Sequence, residues 1–310
     1  MLDLAKFRLE LRAEEEISLP SYKGSALRGG FGTTFKKVAC ALGHGECSKC
    51  ILRTSCVYSY IFETPPPPDT KVMRKYPYAP HPFVLEPPLD GRTEYSPGDS
   101  LSFGLVLVGR AVDYLPYFIF TFSELGKLGL GRGRGKFSLV GAWAVSPEGE
   151  ELAYDGKTFR RPRPYRPAEA GPSEVREVVL EFLTPTRIRY NERLVSKLEF
   201  HMLVRSLLRR ISLLSYFHCG RELDLDFRGI IRRAQEVEVV EDDLAWYDWG
   251  RYSGRQKARM KLGGFVGKVR FRGELGEFWP LLLTGQEVHV GKGTSFGLGW
   301  YRMEWSARSS

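Results

Sequence analysis

The stretch His289-Val-Gly-Lys-Gly-Thr-Ser-Phe-Gly-Leu-Gly-Trp-Tyr301 decides the fold, because it has a counterpart in the other half of the chain. A glycine loop carrying Lys292 runs straight into an aromatic strand. Earlier, Gly129-Leu-Gly-Arg-Gly-Arg-Gly-Lys136 leads into another strand in the same way. Glycine at this density lets the backbone take positive φ and approach a ligand closely. Successive amides in such turns form a concavity suited to phosphate. A nucleotide-hydrolysing P-loop needs four residues between its first glycine and Gly-Lys, then Ser or Thr for magnesium. Here five residues separate Gly285 from Gly291-Lys292, and Gly293 follows, so the register argues against that motif. A flexible turn between two strands is the plain alternative.

Outward from these loops, a pattern repeats. At the N-terminus Ala5, Phe7, Leu9 and Leu11 alternate with Lys6, Arg8, Glu10 and Arg12, a strand with one apolar face. After Pro20-Ser21 comes a helix with Leu27, Phe31, Thr34 and Val38 at helical spacing. Its Gly24, Gly29, Gly30 and Gly32 weaken it and imply close approach by another group. The proline-rich residues 64–98 read as an irregular excursion. A strand near 100–109, a helix near 112–127, the first glycine loop and a strand near 137–145 follow.

Beyond a proline- and arginine-rich stretch the order restarts with a strand over Val178 to Leu183. Ser196-Lys-Leu-Glu199 reads as a capping box opening a helix to about Phe217, with Leu203, Leu207, Ile211 and Leu214 as its stripe. Strands near 244–252 and 262–272 come next. In the second, Phe265, Val269 and Phe271 oppose Lys268, Arg270 and Arg272. A helix near 275–284, the second loop and a strand near 298–305 end the series. Each half reads as βαββαβ, the ferredoxin-like (RRM-like) unit. The expected fold class is α+β with two such domains in tandem and a C-terminal glycine-rich loop. The expected boundaries are 1–159 for the N-terminal domain with a cysteine-cluster insertion, 160–174 for a linker, and 175–310 for the C-terminal domain.

The composition, 43% hydrophobic and 27% charged over 310 residues, is that of a folded globular protein and excludes a disordered chain. No run of eighteen apolar residues and no signal-peptide core occur, so a soluble, cytoplasmic protein with no membrane partner is expected. The net charge of +9 points to a polyanionic partner. Four of the five cysteines lie in Cys40-x6-Cys47-x2-Cys50-x5-Cys56. Without export signals such a cluster suggests a metal more than disulfides. Structural zinc on Cys40, Cys47, Cys50 and Cys56 ranks first, an iron–sulfur cluster is the alternative, and buried free thiols remain a third reading.

The order of Leu27-Arg-Gly-Gly-Phe-Gly32 with its cysteines, Leu208-Arg-Arg210, Arg251-Tyr-Ser-Gly-Arg255, Leu262-Gly-Gly-Phe-Val-Gly267 and the His289–Gly299 loop resembles the RAMP superfamily of CRISPR systems. Within it, the chain looks like the endoribonucleases that cut CRISPR precursor RNA in each repeat. The resemblance implies cleavage without a catalytic metal. The 2′-hydroxyl attacks the neighbouring phosphate, leaving a 2′,3′-cyclic phosphate and a 5′-hydroxyl end. It implies repeat RNA as partner, with a multisubunit CRISPR effector complex as a further one and no DNA. A non-catalytic RNA-binding RAMP subunit of such a complex is the alternative. A redox or metal-dependent enzyme built on the cysteines is a rival of another class.

Such chemistry needs a base, an acid and a cation for the crowded phosphorane. His289, three residues before Lys292 at the mouth of the loop, is the first candidate, and a plain strand histidine is its alternative. His44 is second, because relatives place a catalytic histidine after the first helix, yet its place between Cys40 and Cys47 also suits metal ligation. Lys292 and Tyr252 complete the expected catalytic set. Arg132, Arg134, Lys136, Arg251, Arg255, Lys268 and Arg270, with the backbone at Gly297 and Gly299, are the expected RNA contacts. Tyr252, Phe296 and Trp300 are candidates for base stacking, with core packing the competing role for Trp300.

Overall fold

The structure, a computed structural model, describes residues 2–43, 46–73, 76–161, 163–167, 174–248, 250–253, 258–261 and 263–307. The chain divides into two compact units, one comprising Asp3–Tyr165 and Tyr216–Arg221, the other the remainder.

The N-terminal unit is built on alternation. In β1 (Leu4–Ala13) the apolar Phe7, Leu9 and Leu11 are buried while the charged residues between them reach outward. The strand takes the centre of an antiparallel sheet because both its edges find partners. With α1 (Gly24–Ala39), β2 (Phe83–Glu86), β3 (Ser100–Val108), α2 (Leu115–Leu128), β4 (Phe137–Ser146) and β5 (Gly149–Tyr154), the sheet order is β2-β3-β1-β4-β5. Removing the added edge strand β5 leaves the βαββαβ order and neighbours of a ferredoxin-like unit. Strand β2 lies inside the stretch expected to be irregular. Phe83-Val-Leu-Glu is fully buried, so it shows no alternation, and prolines at 82 and 87 bound it; only pairing with β3 reveals it.

Two of the glycines of α1, Gly30 and Gly32, are explained by its neighbours, while a Cβ on Gly29 would meet nothing within 4 Å. A Cβ on Gly32 would lie 2.1 Å from the Phe62 ring, and one on Gly30 3.0 Å from Leu125. The close approach is therefore by core side chains, and Phe31 stacks on Phe118 at 4.8 Å between centroids. Aromatic pairs of this kind add about 0.5–1.5 kcal/mol beyond area burial.

The C-terminal unit repeats the plan with β6 (Val175–Thr186), α3 (Phe200–Leu214), α4 (Phe227–Ala234), β7 (Glu238–Tyr247), β8 (Gly264–Arg272), α5 (Trp279–Val288) and β9 (Tyr301–Ala307), in sheet order β7-β8-β6-β9. The two halves share one architecture, as the repeated sequence pattern implied. Details differ. α3 starts at Phe200, and Ser196 caps nothing; Glu199 occupies the N-cap position but turns its carboxylate to His201 Nε2 at 2.8 Å. The short helix α4 is properly capped, with Asp226 Oδ1 accepting from the Gly229 amide. The strand expected at 244–252 begins earlier, at Glu238, in an acidic run whose side chains are nearly all exposed. It lies at a sheet edge, so its neighbours supply the ladder and no apolar alternation is needed. Among the described residues no helix is long and apolar enough to cross a membrane.

Candidate nucleic-acid interface

The second glycine loop is a tightly tied turn. α5 ends at Val288, whose carbonyl accepts from Arg210 Nε at 2.8 Å. Arg210 is buried, and burial lowers its guanidinium to about 9, which leaves it charged at neutral pH. A cation at the C-terminal end of a helix is favoured by the helix dipole, so the charge has a reason to be there. His289 follows with φ of 62°. Then Gly291, Gly293, Gly297 and Gly299 all take positive φ. At Gly299 no other residue fits, since a Cβ would lie 1.8 Å from the Val290 carbonyl oxygen. Thr184 of β6 locks the far side: its hydroxyl donates to the Gly297 carbonyl at 2.7 Å and accepts from the Trp300 amide at 2.9 Å.

This geometry changes the place given to His289. Its ring has no exposed surface, lies parallel to the Trp300 indole at 5.6 Å, and donates from Nδ1 to the Leu298 carbonyl. In this conformation it packs the loop from inside. Trp300 is its packing partner.

Lys292 points the other way. It is exposed, and its amide donates to the Arg187 carbonyl at 3.0 Å. Partial burial holds its amine below the ordinary lysine value, and the charges of Arg189 and Arg187 push it lower still. Burial likewise lowers Arg187, whose Nη1 is buried with no partner among the described residues. Arg189 donates from Nε and Nη2 to the Glu192 carbonyl, a neutral group that leaves its charge uncompensated. Three cations thus share one neighbourhood, with no carboxylate bonded to any of them among the described residues. Such mutual repulsion is relieved by an anion, and phosphate is the anion that glycine turns and guanidinium groups suit. Arg187 and Arg189 escaped the sequence reading. The signal was there in Thr184-Pro-Thr-Arg-Ile-Arg-Tyr190, where two arginines alternate as β6 ends.

The first glycine loop is also tied down. Leu130 and Gly135 form a bridge across it, and Arg132 bridges to Ser18. A Cβ at Gly129, Gly131 or Gly135 would lie 1.9–2.2 Å from a backbone carbonyl oxygen, so these glycines serve chain-to-chain contact. Arg132 and Arg134 at its tip are exposed and meet no carboxylate among the described residues. Lys136 is paired with Glu15 at 3.0 Å. On β8, Arg270 donates to Glu241 at 2.9 Å and stands 3.6 Å from Glu177, so its charge is already answered. Lys268 is exposed and lies opposite Glu181 and Asp243 in the sheet register. Arg270 would therefore reach phosphate in competition with Glu241 and Glu177, while for Lys268 the register alone places carboxylate residues opposite.

Tyr252 and Arg251 belong to a hairpin of Gly250–Ser253 with Ala258–Lys261, where Tyr252 pairs with Arg259. Arg255 and His44 lie outside the described residues. Cys40 ends α1, Cys47 opens a single helical turn, and Cys47, Cys50 and Cys56 are half-buried like Cys40. Burial pushes the Cys47 thiol up; Lys36 opposes this, while Glu63, Cys40 and Cys56 add to it. Among the described residues no three His, Cys, Asp or Glu side chains are grouped as ligands for one ion.

Comparison with known proteins completes the picture. Residues 180–301 match the family model described as CRISPR-associated endoribonuclease Cas6, and residues 2–166 match the AF_1859_N N-terminal domain. An uncharacterized protein of Archaeoglobus fulgidus is 27% identical over 291 residues, covering 92% of both chains. A partial Cas6-RT-Cas1–Cas2 complex contains a similar fold at a TM-score of 0.61 and 15% identity; 99% of this chain is covered but only 46% of that longer one. A Cas6 product complex is similar at a TM-score of 0.59 and 17% identity, covering 97% and 99% of the two chains. At such identities the likeness speaks to the fold. Arg187, Arg189 and Lys292 fall inside the segment that the endoribonuclease family model matches.

Proposed function

We propose that this chain, whose residues 180–301 match the family model described as CRISPR-associated endoribonuclease Cas6, cuts CRISPR precursor RNA within the repeat. The observation that carries the reading is the cluster of Arg187 and Arg189 with Lys292 of the glycine loop, three cations in the family-matching segment with no bonded carboxylate among the described residues. The product complex among the fold neighbours is consistent with it.

The step is a transesterification. A base takes the proton of the 2′-hydroxyl beside the scissile phosphate, and the O2′–P bond forms. The P–O5′ bond breaks, and an acid returns a proton to O5′. Products are a 2′,3′-cyclic phosphate and a 5′-hydroxyl end. Fixed cations stabilise the charge that gathers on the phosphorane, the term that usually dominates such catalysis. Lys292 and Arg187 are suited to that role, with His44 as the base and Tyr252 as a further polar contact in this reading. The balance of the step needs no metal. The product passes to a larger CRISPR complex.

The test is incubation of the purified protein with a repeat-containing RNA in chelator. One cut per repeat with a cyclic phosphate end is expected. Binding without any cut would sink the nuclease reading and leave an RNA-binding subunit. Unchanged cleavage by His44→Ala would remove that residue from the mechanism, and unchanged cleavage by Lys292→Ala would do the same for the loop.

A further inference from the structure

Four buried side-chain nitrogens lack a partner among the described residues, and all belong to the C-terminal unit: Arg187 Nη1, His201 Nδ1, Arg205 Nε and Arg210 Nη2. Native proteins rarely leave such groups unmet. Two of them stand together. His201 and Arg205 are one turn apart on α3, so their side chains share a face. Tyr190 lies beside both, its ring centroid 5.3 Å from that of His201 and 5.9 Å from the Arg205 guanidinium carbon.

The chemistry of the pair is complementary. His201 is only 7% exposed, and its Nε2 lies 2.8 Å from Glu199 Oε2. An ionised carboxylate only accepts, so Nε2 carries a proton, and in the neutral ring Nδ1 is then the acceptor. Arg205 Nε can only donate. An aromatic face, an acceptor and a donor are therefore gathered in one place, and the latter two have nothing to bind.

We propose that Tyr190, His201 and Arg205 receive one unpaired nucleobase of the bound RNA. The base lies against the Tyr190 ring, gives an N–H to His201 Nδ1 and accepts from Arg205 Nε. Stacking plus edge recognition is how proteins read single-stranded RNA. Arg189 of the cation cluster is the residue next to Tyr190, so phosphate and base contacts are adjacent in the chain. The proposal rests on the RNA-processing reading above and names a contact within it.

Both nitrogens are closed to solvent, so the site opens by movement of the hairpin that carries Tyr190. That hairpin has two ladder pairs, Arg193 with Tyr190 and Leu194 with Arg189, closed at its base by the Val195 amide on the Ile188 carbonyl and across its turn by Arg189 on the Glu192 carbonyl. Its turn residues Asn191 and Glu192 both have positive φ, 47° and 64°. A short ladder of this kind belongs to the least stable parts of a fold and can lift locally.

The experiment places 2-aminopurine at successive positions of an RNA carrying the CRISPR repeat and follows its fluorescence on titration with the full chain. Quenching at one position with the wild type is expected. It should be lost in Tyr190→Leu, kept in Tyr190→Phe, and accompanied by roughly tenfold weaker binding in Tyr190→Leu, the size of one lost base stack. His201→Ala should flatten the preference among the four bases at that same position. Circular dichroism and thermal melting check that each variant folds, and Tyr190→Phe serves if Tyr190→Leu does not: its quenching must then match the wild type. If the wild type binds RNA but shows no position-specific quenching, or Tyr190→Leu quenches and binds as the wild type does, the nucleobase site is wrong and a bridging water fills it. Absence of binding to any RNA overturns the underlying reading as well.

Discussion

Lys292 holds its charge against partial burial and two nearby arginines. A lysine whose folded value lies below its unfolded value is destabilised by its own charge at every pH below the folded value. The penalty fades as pH rises through it. Lys292→Met should therefore raise the thermal midpoint slightly near neutral pH, with the gain vanishing in alkaline solution, while RNA affinity falls. A melting series over pH together with a binding titration checks both. Joint loss of stability and affinity would make Lys292 a packing residue. Two glycines give a sharper contrast. Gly299 and Gly133 both have positive φ, but a Cβ on Gly299 would strike the Val290 carbonyl while one on Gly133 meets nothing within 4 Å. Gly299→Ala should lose more than about 2 kcal/mol of stability. Gly133→Ala should lose roughly 1–2 kcal/mol, the cost of the left-handed backbone alone. Denaturant unfolding measures both.

Elements differ in how openly they appear in sequence. β1 and α2 are half-buried, so alternation or helical spacing marks them. β2 is buried on both faces and only four residues long, and nothing local separates it from the proline-rich chain around it. The start of α3 misled because Ser196 and Glu199 have the right spacing for a capping box, yet the carboxylate finds a histidine instead. The cysteine segment after α1 is a third case. Zinc there requires the four thiols to converge. The expected result is one zinc per chain by elemental analysis, a lower melting point after chelation, and loss of the metal in a Cys47→Ser, Cys50→Ser double variant. A visible absorption band would indicate an iron–sulfur cluster, and five thiols reacting freely with Ellman's reagent would rule out both.

At the scale of the whole molecule, a net charge of +9 makes salt dependence the informative measurement. Affinity for single-stranded RNA should fall linearly on a log–log plot against salt, by about 0.7 per phosphate contact. Replacing Arg132 and Arg134 together by alanine should make that slope shallower by roughly 1.4 if each holds a phosphate. Replacing Arg270 should change it little, because Glu241 and Glu177 already neutralise its guanidinium. Equal effects from the two sets would mean that charge acts diffusely.

The sequence by itself determined the tandem α+β plan, the two glycine turns and the family likeness of residues 180–301. Periodicity, glycine placement and motif order are local properties, and local properties survive in a linear text. Tertiary structure alone decided which polar groups are free. His289 and Lys292 lie three residues apart on one loop, yet one faces the core and the other faces solvent beside Arg187 and Arg189. Arg270 looked available until β6 and β7 brought Glu177 and Glu241 alongside. Burial and charge pairing depend on residues distant in the chain, and only the folded backbone brings those residues together.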